Sequence, residues 1–147
     1  LKEPSQLTMS SGVTASDEVV TTFNDIKMGH KHKYAIFKIS DDLSSVVLET
    51  TSSEASWESF TSALPQNSCR YVVYDFDFKS DDGRDMSKIL FIVWAPDSAK
   101  IKEKMLITSS KDAVKKKLVG IGKEIQATDA SEIDIKEVTS QVLAISR

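Results

Sequence analysis

Apolar side chains recur along this chain at two spacings, close to 3.6 residues in some stretches and 2 in others, and the two alternate from end to end. Val19, Val20, Phe23 and Ile26 keep helical spacing behind Ser16-Asp17-Glu18, an N-cap serine followed by acids in the first turn, and Gly29 closes that helix. Residues 34–39 alternate apolar and polar positions, Asp41-Asp42 offers a turn, and residues 45–50 return as a second strand. Trp57, Phe60 and Leu64 outline a short amphipathic helix that stops before Pro65. Residues 71–78 and 89–94 are strong β runs, and Asp82-Gly83 between them predicts an antiparallel hairpin. The run 89–94 is apolar throughout, which predicts a central strand covered on both faces. Pro96-Asp97 then leads into a long helix, with Thr108, Ser109 and Ser110 as hydroxyls able to bend it by bonding back to the backbone. A short strand at 124–126 and an amphipathic helix at 131–144 complete the pattern. The expected architecture is α/β (α+β): one domain with a central mixed β-sheet flanked by helices on both faces.

Composition narrows the class further. A chain of 147 residues, 40% hydrophobic and 28% charged, reads as one soluble domain. Residues 1–8 precede Met9 and read as a tag remnant or disordered leader, which places the domain at 9–147. No apolar run approaches the roughly 18 residues of a membrane helix. The single cysteine, Cys69, excludes an intrachain disulfide and suits a reducing, cytoplasmic setting.

Charge is unevenly placed. The net charge is −3, yet residues 98–117 hold seven lysines (Lys100, Lys102, Lys104, Lys111, Lys115, Lys116, Lys117) against Glu103 and Asp112. At about 100° per residue, Lys104, Thr108, Lys111 and Lys115 fall on one stripe of the long helix, and Ile107, Val114, Leu118 and Ile121 on another. Such a helix is anchored by its apolar face and offers a basic ridge to an acidic macromolecule, or simply to solvent.

Signals for covalent chemistry are weak. His30-x-His32 lacks a carboxylate or cysteine at ligand spacing, so no metal site is expected. Cys69 leads an apolar strand and reads as a buried thiol sooner than a nucleophile. Asp75 and Asp77 are either a carboxylate pair or the polar face of a half-buried strand. Gly120-x-Gly122 follows a helix, the wrong context for a phosphate loop. No cofactor is implied, and an enzyme is not expected.

The ordered motifs resemble the actin-depolymerising factor/cofilin family. They are Ser11-Gly12-Val13, Phe23-Asn24-Asp25-Ile26-Lys27-Met28-Gly29, Leu64-Pro65, Cys69-Arg70-Tyr71-Val72-Val73-Tyr74-Asp75-Phe76, Trp94-Ala95-Pro96-Asp97, Lys102-Glu103-Lys104-Met105, Ser109-Ser110-Lys111-Asp112 and Gln126-Ala127-Thr128-Asp129. The resemblance implies a monomeric ADF-homology domain that binds monomeric and filamentous actin, prefers ADP-bound subunits, and severs and depolymerises filaments without covalent chemistry. It implies a monomer-type site made of Ser11, Gly12, Val13, Lys104, Met105, Lys111, Asp112, Lys115 and Lys116, in which Met105 fills either an apolar pocket on actin or this protein's own core. Ser11 matches the serine whose phosphorylation blocks actin binding, with Ser10 as an alternative acceptor. A filament-type site is implied at Lys88, where Met86 replaces a second basic residue and Arg84 offers compensation from the loop. Gln141 and Ala144 stand where several relatives carry charge, so filament decoration is expected to be weakened. Phosphoinositide headgroups are expected to compete through Lys104, Lys111, Lys115, Lys116 and Lys117.

Two other readings remain at this stage. One keeps the fold but binds filaments without severing them, or regulates the actin-branching complex. The other is a nucleic-acid-binding module, opposed by the acidic net charge and by the lack of an aromatic stacking platform beside the lysines.

Overall fold

The computed structural model describes residues 13–54 and 56–146. Six strands form one mixed sheet: β1 (Thr14–Ala15), β2 (Tyr34–Ile39), β3 (Ser45–Ser52), β4 (Arg70–Lys79), β5 (Asp85–Trp94) and β6 (Lys123–Ala127). Their order across the sheet is β1-β3-β2-β4-β5-β6. The four central strands pair antiparallel, while β1 joins β3 and β6 joins β5 in parallel. The helices are α1 (Asp17–Lys27), α2 (Trp57–Ser62), α3 (Ile101–Lys117) and α4 (Ile135–Ser146), with a 3₁₀ turn at Ala130–Ile133.

Strand periodicity sorts the core into two layers. Tyr71, Val73, Phe91 and Val93 face α1 and α3, where Phe23, Ile26, Ile107 and Val114 are buried with them. Val72, Tyr74, Leu90, Ile92 and Trp94 face the other way, onto Phe60 of α2 and Val138 and Val142 of α4. The uninterrupted apolar run in β5 is thereby explained, because both of its faces are covered. Burying a Phe or Leu side chain of this kind contributes about 1.5–3 kcal/mol.

Several boundaries differ from the sequence reading. The β4–β5 hairpin forms around Gly83, whose φ of 86° suits glycine, but both strands run further toward the turn and take in Met86 and Lys88. Ser16 is the N-cap residue of α1 by its backbone, yet its side chain makes no capping bond. The left-handed residue after α1 is His30, at φ 50°, not Gly29. The helix expected at 131–144 is divided into the 3₁₀ turn and α4, because Asp129 and Asp134 each accept a backbone N–H two residues on, from Ser131 and Lys136. α3 is continuous through Thr108–Ser110, although Ser109 Oγ does donate back to the Leu106 carbonyl at 3.4 Å.

The ambiguous polar residues resolve as structural. Asp75 lies 3.4 Å from His30 Nδ1, and Asp77 accepts from Lys33 Nζ at 2.6 Å, so the two aspartates pair separately on the strand's polar face. Cys69 is buried, and burial, with the neighbouring Glu103 carboxylate, pushes its thiol up to about 12. Gly120 has a φ of 110°, and a Cβ there would stand 2.8 Å from Lys27 Nζ, which donates to the Val119 carbonyl at 2.6 Å. Gly122 lets the Lys88 stem approach, since a Cβ would meet Lys88 Cβ at 3.2 Å. The two glycines serve chain crossings. No helix among the described residues is long and apolar enough to cross a membrane, and no group of three metal-ligating side chains occurs among them.

Candidate functional site

The helix α3 crosses from β5 to β6 and is anchored by Ile107, Ser110 and Val114, all buried, with Leu118 buried just past its end. Two further tethers fix it. Glu103 accepts from the backbone N–H of Cys69 and, at 2.8 Å, from Ser68 Oγ. The buried Tyr71 hydroxyl donates to the Ile107 carbonyl.

With the inner face fixed, helical geometry defines the outer pole. At about 100° per residue, Ile101, Met105, Thr108, Asp112 and Lys116 lie opposite Ile107 and Val114, and all five are exposed. Ile101 is 73% and Met105 65% exposed, a pair of large apolar side chains one turn apart. Core packing for Met105 is therefore excluded. Ile101 is absent from the sequence-derived site because the lysines dominate this stretch; its signal is an apolar i, i+4 pair out of phase with the buried stripe.

The lysine stripe is a flank of α3, and much of its charge is already paired. Lys111 Nζ lies 3.1 Å from Glu124 Oε2 and Lys115 Nζ 2.9 Å from Glu124 Oε1, the carboxylate reaching over from β6. Gln126 Nε2 donates to Glu124 Oε2 at 2.6 Å. Burial pushes the Glu124 carboxyl up, but the hydrogen bonds from Gln126, Lys115 and Lys111 outweigh it and hold it down to about 2. Lys104 Nζ donates to the Asp97 carbonyl at 3.1 Å. Lys116 and Asp112 are exposed, and Lys117 is half-buried. The expected ridge of outward lysines is thus corrected in part: Lys111 and Lys115 lie along β6, and the outer face carries the apolar pair Ile101 and Met105 together with exposed Lys102, Asp112 and Lys116.

Ser11 and Gly12, like Ser10, fall outside the described residues. Val13 is wholly buried in the layer it shares with α1 and α3, so its side chain anchors the chain and is not itself a contact surface.

The second candidate surface lies on the β4–β5 hairpin. Lys88 pairs across the strands with Phe76 and Met86 with Phe78, so both point to the α4 side. Met86 is half-buried and packs against that core layer, as does Leu143 of α4. Arg84 sits in the turn with Asp82, Nε to Oδ2 2.9 Å, so its charge is partly offset. The hairpin turn and the end of α4 border a common hollow lined by Ser80, Asp82, Arg84, Leu143 and Ser146. Gln141 Nε2 bonds to Glu137 within α4 at 3.2 Å, and Ala144 is exposed.

Comparison with known proteins places this geometry. Residues 12–143 match the model of the family described as cofilin/tropomyosin-type actin-binding protein. The chain is 48% identical over 132 residues to actophorin of Acanthamoeba castellanii, covering 89% of this chain and 95% of that protein. It is 48% identical over 126 residues to cofilin-1A of Dictyostelium discoideum, covering 85% and 91%. The crystal structure of Streptomyces griseoflavus cofilin superposes with a TM-score of 0.83 at 39% identity, over 89% of this chain and 97% of that one. Family model, relatives and fold agree: the chain belongs to the actin-depolymerising factor/cofilin family.

Proposed function

We propose that this protein binds monomeric and filamentous actin, prefers ADP-bound subunits, and severs and depolymerises filaments to drive actin turnover in the cytoplasm. It acts as a monomer, without a cofactor and without covalent chemistry. Binding energy realised only with a twisted filament shifts the filament population toward that state and weakens contacts between its subunits. The observation that carries the reading, beside family membership, is the exposed pole of α3. Ile101 and Met105 offer an apolar anchor beside exposed Lys102, with Asp112 and Lys116 about two and three turns further along the same face, the combination of apolar centre and charged rim from which hot spots are built. High-speed pelleting with filamentous actin tests it: the protein should co-pellet and raise the actin left in the supernatant. Pelleted actin that stays unchanged, with this protein in the supernatant, rejects it. In the same assay, vesicles containing phosphoinositides should displace actin through Lys104, Lys111, Lys115, Lys116 and Lys117; no displacement rejects the lipid reading.

The monomer-type site includes the segment carrying Ser11, which enters the fold at buried Val13. Phosphate on Ser11 adds about −1.5 to −2 charges against an acidic partner. A Ser11→Glu variant should bind monomeric actin roughly tenfold more weakly, less than full phosphate would cost. Ser11→Ala should bind as wild type, and equal binding by both variants removes the regulatory role.

Filament decoration is the weaker half of the function. Lys88 retains one cation, whereas Met86 is committed to the α4-side core and the Arg84 charge is partly offset by Asp82. Met86→Arg should tighten filament binding about three- to tenfold, its stem covering the apolar surface that Met86 covers while the guanidinium reaches water. The stability cost should stay within about 1.5 kcal/mol. Pelleting isotherms read the affinity, and an unchanged isotherm for a folded variant removes the hairpin argument.

A further inference from the structure

The Glu124 carboxylate is bound more tightly to its own chain than a surface acid needs to be. One oxygen meets Lys115 at 2.9 Å; the other meets Lys111 at 3.1 Å and Gln126 at 2.6 Å. Both lysines come from α3, one turn apart, while Glu124 and Gln126 are two residues apart on β6, the parallel edge strand. The Glu124 and Lys111 side chains keep only 17% and 19% of their surface in contact with solvent, against 41% for Lys115. The trio therefore presents a net single positive charge where the lysines alone would present two. Lys111 in particular cannot reach an outside group without leaving β6.

We infer that Glu124 is an internal counter-ion for the docking flank: by holding Lys111 and Lys115 against β6 it stands in for an acidic group of the partner and limits how strongly acidic surfaces are attracted. The inference rests on the actin reading above and adds a regulating residue to that site. An approaching carboxylate meets two ammoniums already engaged with Glu124, so it gains only what the solvent-facing part of Lys115 and the long-range field provide. Register follows as well. Both stems are fixed, so the apolar anchor at Ile101 and Met105 leads in docking and the lysines follow.

The sign of the effect makes the inference testable. The substitution Glu124→Gln keeps the shape and one acceptor but leaves the trio at two positive charges. Association of the full chain with ADP-actin monomers, followed by stopped flow, should become about threefold faster at about 0.02 M salt and converge with wild type near about 0.2 M. The double variant Glu124→Gln/Lys111→Gln carries a single charge again and should associate more slowly than Glu124→Gln. Unchanged or slower association in Glu124→Gln, or a double variant no different from the single one, overturns the inference. An arm without actin examines the clasp itself: the ammonium nitrogens of Lys111 and Lys115 should give protected NMR signals in wild type that vanish in Glu124→Gln. Wild-type lysines without protection overturn it also. A wild-type chain that does not bind actin overturns the actin reading and this inference with it, a failure recognised from the wild type alone.

Discussion

Met105→Asp should weaken binding to monomeric actin by roughly 30-fold or more, the effect of losing a hot spot of about 2 kcal/mol, with thermal unfolding almost unmoved. The side chain is 65% exposed on the pole of α3, so its removal from the free protein opens no cavity. On the proposed docking face the same position would meet the partner beside Ile101, where the new carboxylate would be both a desolvation cost and a like charge against an acidic surface. Met105→Leu keeps the apolar volume and should bind within a few-fold of wild type. Stability and affinity are separable at this residue because it makes its contacts in one state only. Equal affinities for wild type and Met105→Asp would move the docking face away from this pole.

The same helix shows what a sequence discloses and what it withholds. Its existence and its buried stripe of Ile107, Val114 and Leu118 follow from local periodicity, and both are present. The two-layer core was equally legible, because an apolar run as long as residues 89–94 is accommodated where both sides are covered. β1 was not: two residues paired to β3 carry no periodicity, and what makes them a strand is a partner some thirty residues away in the chain. The division of the last helix was readable in principle, since Asp129 and Asp134 are two capping acids close together, but the amphipathic spacing across them masked it. The state of the lysines could not be read at all. Glu124 meets Lys111 and Lys115 only because β6 packs parallel to β5 at one particular register, and charge counted along a helix does not see the strand beside it. Trp57 is a similar case: the short helix it starts was expected, but its indole N–H donation to the Ile133 carbonyl at 2.8 Å joins segments far apart in sequence.

Glu103→Ala should cost about 2–3 kcal/mol and lower the unfolding temperature by roughly 5–10 °C for a domain of this size. The carboxylate is the acceptor for the Cys69 backbone N–H and for Ser68 Oγ, and it ties the first turn of α3 to the start of β4. Alanine leaves the Cys69 N–H beside a buried thiol without its acceptor, and an unpaired buried donor costs more than the bond contributes. Glu103→Gln keeps a carbonyl oxygen in place and should recover about half of the loss, the remainder reflecting the charge. Cys69 supplies an independent readout. Burial is the main cause of its raised thiol, and the Glu103 carboxylate adds to it, so alanine removes one cause outright and loosens the other. Thiol labelling of the native protein should be very slow in wild type and faster in Glu103→Ala, in step with the loss of stability. Because Ile101 and Met105 flank Glu103 in the same turns, the loosened helix should also bind actin monomers more weakly, by an amount that Glu103→Gln largely restores. If Glu103→Ala instead kept wild-type stability and an unreactive thiol, α3 would be held by Tyr71 and the apolar stripe alone, and the docking pole would owe nothing to this tether.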